Sequence, residues 1–236
     1  MATMNVLVVD IGGSRVKMLA TGAAEPRAFD SGPQLTPQAL VDNVREAATD
    51  WKYDVISIGY PGVVDAQGPR AEPGNLGDGW VRFDFSRAFG RPVRVLNDAA
   101  MQALGGYDGG RMLFLGLGTG VGSALVTEHV IVPLELGCLP YCPSETIFDR
   151  LGTAGLETYG EEAWRAAVVD VTRMLREAFR ADYVLLGGGN ATRVDPLPEN
   201  TRRGGNEDAF AGGFRLWEEL VEPHDRESRP AWRVVR

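Results

Sequence analysis

Val6-Leu-Val-Val-Asp10-Ile-Gly12-Gly13-Ser14-Arg-Val-Lys17-Met-Leu-Ala20 is an apolar strand, a glycine turn carrying a small hydroxyl residue, and a second apolar strand. The pattern returns as Met112-Leu-Phe-Leu-Gly116-Leu-Gly118-Thr119-Gly120-Val-Gly122-Ser123-Ala-Leu-Val126. Glycine lets backbone N–H groups approach an anion without a side chain in the way, and a hydroxyl adds a further donor. One hairpin in each half predicts two lobes that grip one phosphate chain from both sides. That is the arrangement of a phosphotransferase built by duplication.

Working outward, Val6 to Val9 and Val16 to Ala20 read as hairpin strands, and Thr36-Pro37 opens a helix with Thr as cap and Pro at the first position. Leu40, Val41, Val44, Ala47 and Ala48 fall on one face of it. Val55 to Ile58 is a strand that ends in a turn at Gly59-Tyr-Pro61-Gly62. The stretch from Val64 to Trp80, rich in Gly, Pro, Asp and Asn, reads as a functional loop rather than a core element. Val93 to Leu96 is a strand ending at Asn97-Asp98, with a helix following through Ala103. In the second half Val130 to Val132 is a third strand, and a long helix runs from about Glu161 to Arg180 with Trp164, Ala167, Val168, Val171, Leu175 and Ala178 as its apolar stripe. Tyr183 to Leu186 is a strand broken at Gly187-Gly188-Gly189, and a final helix spans Asp208 to Leu220. The charged tail from Pro223 is expected to be poorly ordered.

The 236 residues carry a net charge of −8, with a pI near 4.9. That charge argues against sequence-independent binding to nucleic acid or to an anionic membrane. No run of about 18 apolar residues suggests a membrane span, and the early entry into a strand without a basic and apolar lead-in makes a secretory leader unexpected. Two Cys four apart cannot staple a fold of this size, which makes a cytoplasmic location the default.

Each chemical motif has a structural alternative. Asp10, at a strand end before Gly12, Gly13 and Ser14, can meet a Mg²⁺ ion that bridges phosphate oxygens, directly or through water; it is equally placed as a surface residue of a tight hairpin. Lys17 offers charge or braces the loop. Gly118, Thr119 and Gly120 form a second phosphate loop or a structural hairpin. Neither hairpin is a G-x-G-x-x-G element or a P-loop, since the spacing fails and no helix follows. Asn97-Asp98 at a strand end places a carboxylate where open α/β sheets bind ligands, and also suits a helix cap. Glu135 can accept hydrogen bonds from vicinal hydroxyls or sit solvated in a turn. Gly187, Gly188 and Gly189 can let a nucleotide base lie against backbone or merely turn the chain.

Taken together, these residues resemble the ROK family of sugar kinases and repressors, within the actin, Hsp70 and hexokinase superfamily. Asp10-Ile-Gly-Gly-Ser-Arg-Val-Lys17 resembles the first phosphate motif and Asn97-Asp98 the catalytic pair. Leu117-Gly-Thr-Gly-Val-Gly122 resembles the second phosphate motif, Glu135-Leu-Gly-Cys138 the sugar-binding Glu-x-Gly-His, and Gly187-Gly-Gly189 the adenosine motif. Tyr60-Pro-Gly-Val-Val64 and Asn75-Leu-Gly-Asp-Gly-Trp80 are similar to the polyphosphate glucokinase branch. The resemblance implies an α/β fold of two lobes, each an RNase H-like unit, with residues 1–103 and 104–236 as the lobes, the final helix packing back on the first lobe and substrate in the cleft between them. It implies Asp98 as general base toward the primary hydroxyl of a hexose, with Asn75, Asn97, Glu135 and Cys138 around the sugar. It also implies Mg²⁺ as cofactor and ATP or polyphosphate as donor. A basic groove would favour polyphosphate, with Arg15, Arg70, Arg193, Arg202 and Arg203 as its candidates. The family's frequent dimers are the whole support for a homodimer.

Cys138 stands where the family has His, and the several Cys of its zinc motif are absent, so no zinc site is expected. A family repressor carries a helix-turn-helix ahead of the first hairpin; here the hairpin begins within ten residues, and DNA binding is not expected. Two readings compete with a glucose kinase: a non-catalytic sugar binder, and a kinase for another small hydroxylated substrate.

Overall fold

The computed structural model describes residues 4–205, 207–220 and 229–235. Strands β1 (Val6–Ile11), β2 (Arg15–Ala20) and β3 (Arg27–Asp30) form a meander, followed by helix α1 (Pro37–Ala47) and strand β4 (Val55–Tyr60). The small hairpin β5 (Val64–Asp65) and β6 (Gly68–Pro69) and the short helix α2 (Phe85–Phe89) lead to β7 (Val93–Asn97) and helix α3 (Asp98–Gly105). The first sheet has the order β3-β2-β1-β4-β7, antiparallel across β3, β2 and β1 and parallel from β1 through β4 to β7.

The second half repeats this plan. Strands β8 (Arg111–Leu117), β9 (Val121–Thr127) and β10 (Val130–Leu134) form the meander. A small hairpin, β11 (Pro140–Cys142) and β12 (Glu145–Thr146), and helix α4 (Ile147–Leu151) precede α5 (Thr153–Phe179), β13 (Tyr183–Gly187), β14 (Thr201–Arg203) and α6 (Asp208–Arg215). The order β10-β9-β8-β13-β14 carries the same antiparallel and parallel pairings as the first sheet. Two lobes of one duplicated α/β unit, of the actin and hexokinase type, are therefore written into the strand register.

The lobes meet through α3 and α6, the helices that follow the fifth strand of each sheet. α3 packs on β8 and β9 of the second sheet, and α6 on β1 and β4 of the first. The close approach needs glycine. A Cβ on Gly105 would lie 1.8 Å from the Asp208 carbonyl oxygen, and one on Gly212 1.8 Å from that of Met101. A continuous apolar core between the lobes joins Val8, Ala99, Met101, Phe114, Ala124 and Phe210. Ser57 Oγ, fully buried, donates to the Gly213 carbonyl at 2.6 Å and accepts from Trp217 Nε1 at 2.9 Å, which ties the first sheet to the end of α6. Each sheet has its own outer core, under α1 and under α5.

Local rules account for most of the helix ends. Thr36 caps α1 by accepting the Ala39 N–H at 3.2 Å. α5 is broken at Gly160, whose φ of 76° is open to glycine, so the regular helix begins at the predicted place. Its stripe is buried as expected through Leu175, but Ala178 is exposed and Phe179 packs inward instead.

Three expectations need correction. The stretch 64–80 is not only a loop: Trp80 is fully buried against Tyr60 and Phe85 and plugs the first lobe's outer core. The last helix ends at Arg215 rather than Leu220, because Trp217 turns back to Ser57 and Glu219–Leu220 (β15) pairs with Arg229–Pro230 (β16). The tail was expected to be poorly ordered from Pro223, which lies outside the described residues. Residues 229–235, however, are placed: Arg233–Val234 (β17) extends the second sheet beside β10, and Trp232 is buried against Tyr107 and His129. Buried Trp232, with Ala231 buried beside it, anchors this short segment on the core between the lobes. No helix among the described residues is long and apolar enough to cross a membrane.

Candidate active site

The cleft between the lobes encloses about 350 Å³. Its walls are Gly13, Pro61, Gly62, Asn75, Asn97 and Asp98 from the first lobe, and Gly116, Gly118 to Ser123, Glu135, Phe148 and Gly188 from the second. A smaller recess of about 180 Å³, lined by Asp10, Lys17, Gly188, Gly189, Gly204 and Gly205, adjoins it. Gln102 and Gly188 line both spaces.

Asp98 is the first residue of α3, at the carboxyl end of β7. The helix-cap reading and the ligand reading both hold here, divided between neighbours. Asn97 Oδ1 caps α3 by accepting the Ala100 N–H at 3.1 Å, and its Nδ2 donates to the Gly62 carbonyl at 3.1 Å. That leaves the Asp98 carboxylate lining the cleft, where it accepts the Ala99 N–H at 2.8 Å. Burial, helped by the nearby charge of Asp10, pushes the Asp98 carboxyl up to about 7. Burial raises Asp10 to about 6, against the opposing pull of Lys17. Desolvation also raises Glu135.

Two supports fix Asn75 and Glu135, two of the residues expected to hold a sugar. Asn75 lies on the loop plugged by Trp80, which Glu72 braces by accepting the Trp80 and Val81 N–H groups at 3.0 and 3.2 Å. The Asn75 amide rests on the first hairpin, where a Cβ at Gly13 would meet it at 2.2 Å. Glu135 is positioned by buried Ser123, whose hydroxyl donates to the Leu134 carbonyl at 2.9 Å and accepts the Leu136 N–H at 3.0 Å.

The remaining predicted residues divide. Gly13, Gly118, Thr119, Gly120 and Gly188 line the cleft, while Asp10, Lys17 and Gly189 line the recess. Gly12 lines neither: its N–H donates to Arg15 at 3.0 Å within the hairpin, and its carbonyl accepts from Ser31 at 2.5 Å. Ser14 sits at the exposed tip, where its carbonyl accepts the Ser31 N–H. Gly187 makes room for the Phe114 ring, which a Cβ would meet at 2.5 Å. Gly188 has a φ of 79°, and a Cβ there would lie 2.5 Å from the Leu117 carbonyl oxygen, so it seats β13 under the second hairpin. Cys138 is exposed and does not line the cleft.

None of the five candidate arginines lines either space. Arg193 pairs with Glu161 at 2.8 Å and Arg202 with Asp108 at 3.2 Å, while Arg203 is bound to the carbonyls of Ala191 and Val194.

Three residues of the site were not singled out from the sequence. Thr153, at the start of α5, donates its N–H and hydroxyl to the Gly118 carbonyl at 3.0 and 2.9 Å and so buttresses the second hairpin. Phe148 lies against Gly120 and remains half exposed at the cleft wall. Gln102 follows Asp98 by one helical turn, a spacing that could have drawn notice.

Among the described residues no three His, Cys, Asp or Glu side chains form a metal-binding group. A Mg²⁺ site asks for less, since that ion keeps several waters and takes one or two carboxylates plus substrate phosphates. Asp10 supplies such a carboxylate: it lines the recess beside the cleft, and its carboxylate accepts no hydrogen bond among the described residues. The donor set fits the ion.

No family model matches the chain. It is 27% identical over 215 aligned positions to a polyphosphate glucokinase of Mycobacterium leprae, a match covering 81% of this chain and 62% of that protein, so it spans less than two thirds of that relative's length. Its fold is similar to the inorganic polyphosphate/ATP-glucomannokinase of Arthrobacter sp. strain KM, with a TM-score of 0.74 and 21% identity over 89% of this chain and 97% of that one. The ROK hexokinase of Thermus thermophilus superposes with a TM-score of 0.66 and 20% identity over 89% of this chain and 97% of that one. The chain therefore has the fold of the ROK sugar kinases, and in sequence it resembles the polyphosphate glucokinases.

Proposed function

We propose that the protein is a hexose kinase that transfers a phosphoryl group from polyphosphate or ATP to the primary hydroxyl of glucose. The observation that carries this reading is the placement of Asp98: a carboxylate with its pKa raised to about 7, set at a strand end between the sugar-side amides and the glycine hairpins. A general base works best with a pKa near the operating pH, and Asp98 sits there. The names of the relatives support glucose as acceptor and both donors.

In this reading Asn75, Asn97 and Glu135 hold the sugar hydroxyls, and Asp98 takes the proton of the attacking hydroxyl as its oxygen bonds to phosphorus and the bond to the rest of the donor breaks. Gly13, Thr119 and Gly120 face the transferring group from opposite lobes. Asp10 would hold Mg²⁺, directly or through water, and the ion when bound would neutralise charge on the phosphate oxygens. Lys17 adds the single cationic side chain among the residues lining the two spaces. Closure of the lobes excludes water that would otherwise accept the phosphoryl group.

Cys138, in place of the family's His, favours a second reading, a kinase for another small hydroxylated acceptor. One experiment decides between the two: a coupled assay with Mg²⁺, a panel of hexoses, and ATP and polyphosphate offered separately. Sugar phosphate formed with glucose is the expected result. Turnover confined to another acceptor selects the second reading, and folded protein without turnover on any of them removes both.

A further inference from the structure

Gln102 occupies a place that none of the motifs accounts for. It lies four residues after Asp98 on α3, so the two side chains share a helix face. Together with Gly188 it separates the cleft from the recess of Asp10 and Lys17. The residue is half-buried, and Gly187, lacking a side chain, leaves room for its amide oxygen, which would lie 3.4 Å from a Cβ there. The Gln102 main chain is engaged, its carbonyl accepting the Gly106 N–H at 3.1 Å. Its side-chain amide has no hydrogen-bond partner among the described residues. The amide is therefore free to meet whatever fills the two spaces, and it offers two N–H donors and one acceptor.

The surroundings select what it can bind. Asp98 lines the cleft and Asp10 the recess, so an anion spanning the two spaces meets negative charge in each, while Lys17, the one cationic residue lining them, belongs to the recess. A neutral amide contributes hydrogen-bond donors to a phosphate oxygen at this point. It does so without a positive charge that would pair with the two carboxylates. We propose that Gln102 is a donor-binding residue: its Nε2 hydrogens contact a non-bridging oxygen of the phosphate chain where that chain passes from the recess into the cleft. The proposal rests on the kinase reading for its substrate class, since it assumes a linear phosphate chain spanning the two spaces.

The test compares wild type with Gln102→Glu, which keeps the shape but replaces the N–H donors with negative charge, and with Gln102→Ala, which simply removes the amide. Inorganic tripolyphosphate with Mg²⁺ is titrated into each protein by calorimetry, and glucose is titrated separately. A hydrogen bond to a charged group sets the expected loss at about 10- to 100-fold in tripolyphosphate affinity for Gln102→Glu, with glucose affinity within about twofold of wild type. Gln102→Ala lies between the two. In steady state the same variants raise the donor KM and leave the glucose KM in place. Unchanged tripolyphosphate affinity in both variants overturns the proposal, and so does an equal loss of glucose affinity, which marks a general disturbance of α3. Wild-type protein without kinase activity removes the kinase reading alone, because the tripolyphosphate titration still decides whether Gln102 binds a phosphate chain.

Discussion

The two glycine hairpins share strand order, pairing and a turn of small residues, yet they contribute differently. The first gives the recess its charges, Asp10 and Lys17, and touches the cleft through Gly13. The second lines the cleft with Gly116 and with Gly118 through Ser123 and brings no charged side chain. Their braces differ too: Ser31 holds the first at Gly12 and Ser14, whereas Thr153 holds the second from the start of α5. The same asymmetry appears at the ends of the fifth strands. β7 runs into Asn97-Asp98, whereas β14 runs into Gly204-Gly205, which open the recess. Duplication supplied the frame. The ionisable chemistry was confined mainly to one copy, and backbone-rich walls were left in the other.

The largest effect expected from that division is at Asp98. Asp98→Asn keeps the Ala99 contact and the helix start but removes the base, and phosphoryl transfer falls by about 10²- to 10⁴-fold. Near-normal turnover in the folded variant would take the base assignment away from Asp98. The pH dependence follows with its sign fixed. With the carboxyl at about 7, kcat/KM for the sugar falls as the pH drops below that value, since the protonated acid cannot accept a proton. Stability runs the other way. A carboxyl whose folded pKa lies above its unfolded one binds more protons when folded, so stability is lost as pH rises from about 4 through about 7. Asp98→Asn therefore melts above wild type at pH 8, and the difference shrinks toward pH 4. A melting temperature below wild type at pH 8 breaks this account.

The next contrast sets a packing glycine against a cleft glycine. In Gly212→Ala the new Cβ meets the Met101 carbonyl oxygen, backbone that cannot step aside without separating α3 from α6. Overpacking of this kind costs about 3 kcal/mol. In Gly118→Ala nothing lies within 4 Å of the new Cβ, so stability stays within about 0.5 kcal/mol of wild type. Denaturant melts compare the two, and equal stabilities would mean that the α3–α6 crossing is looser than its geometry implies.

Legibility followed the range of the interactions. The hairpin strands, the Thr36 cap and the strand end at Asn97-Asp98 are local, and periodicity or turn chemistry exposes them. Thr153 could not be read, because it meets Gly118 across 35 residues of chain and looks like any helix-start threonine. Trp80 was hidden inside a loop composition, and Trp232 inside a charged tail; in both, one buried indole outweighs the polar residues around it. At Gly187 the residues leave a nucleotide contact and a chain turn both open, because the sequence cannot show that the Phe114 ring lies against this glycine. Ser123, which aims Glu135, looks in sequence like one more small residue of a strand.

The smallest effect concerns the sugar wall of the second lobe. The first lobe offers two amides there, Asn75 and Asn97, whereas the second offers Glu135 with the thiol of Cys138 turned outward three residues later. The Cys138 N–H donates to the Glu135 carbonyl at 3.1 Å, so both residues belong to one tight turn and move together. A thiol is short and a weak donor, whereas an imidazole is longer and carries both a donor and an acceptor. Cys138→His therefore tightens glucose binding, by at most about tenfold for one added neutral hydrogen bond, and leaves the donor KM unchanged. A calorimetric titration reads this directly. Unchanged or weaker binding would show that even the longer imidazole at this exposed position does not reach the acceptor, and that Glu135 alone represents the second lobe there.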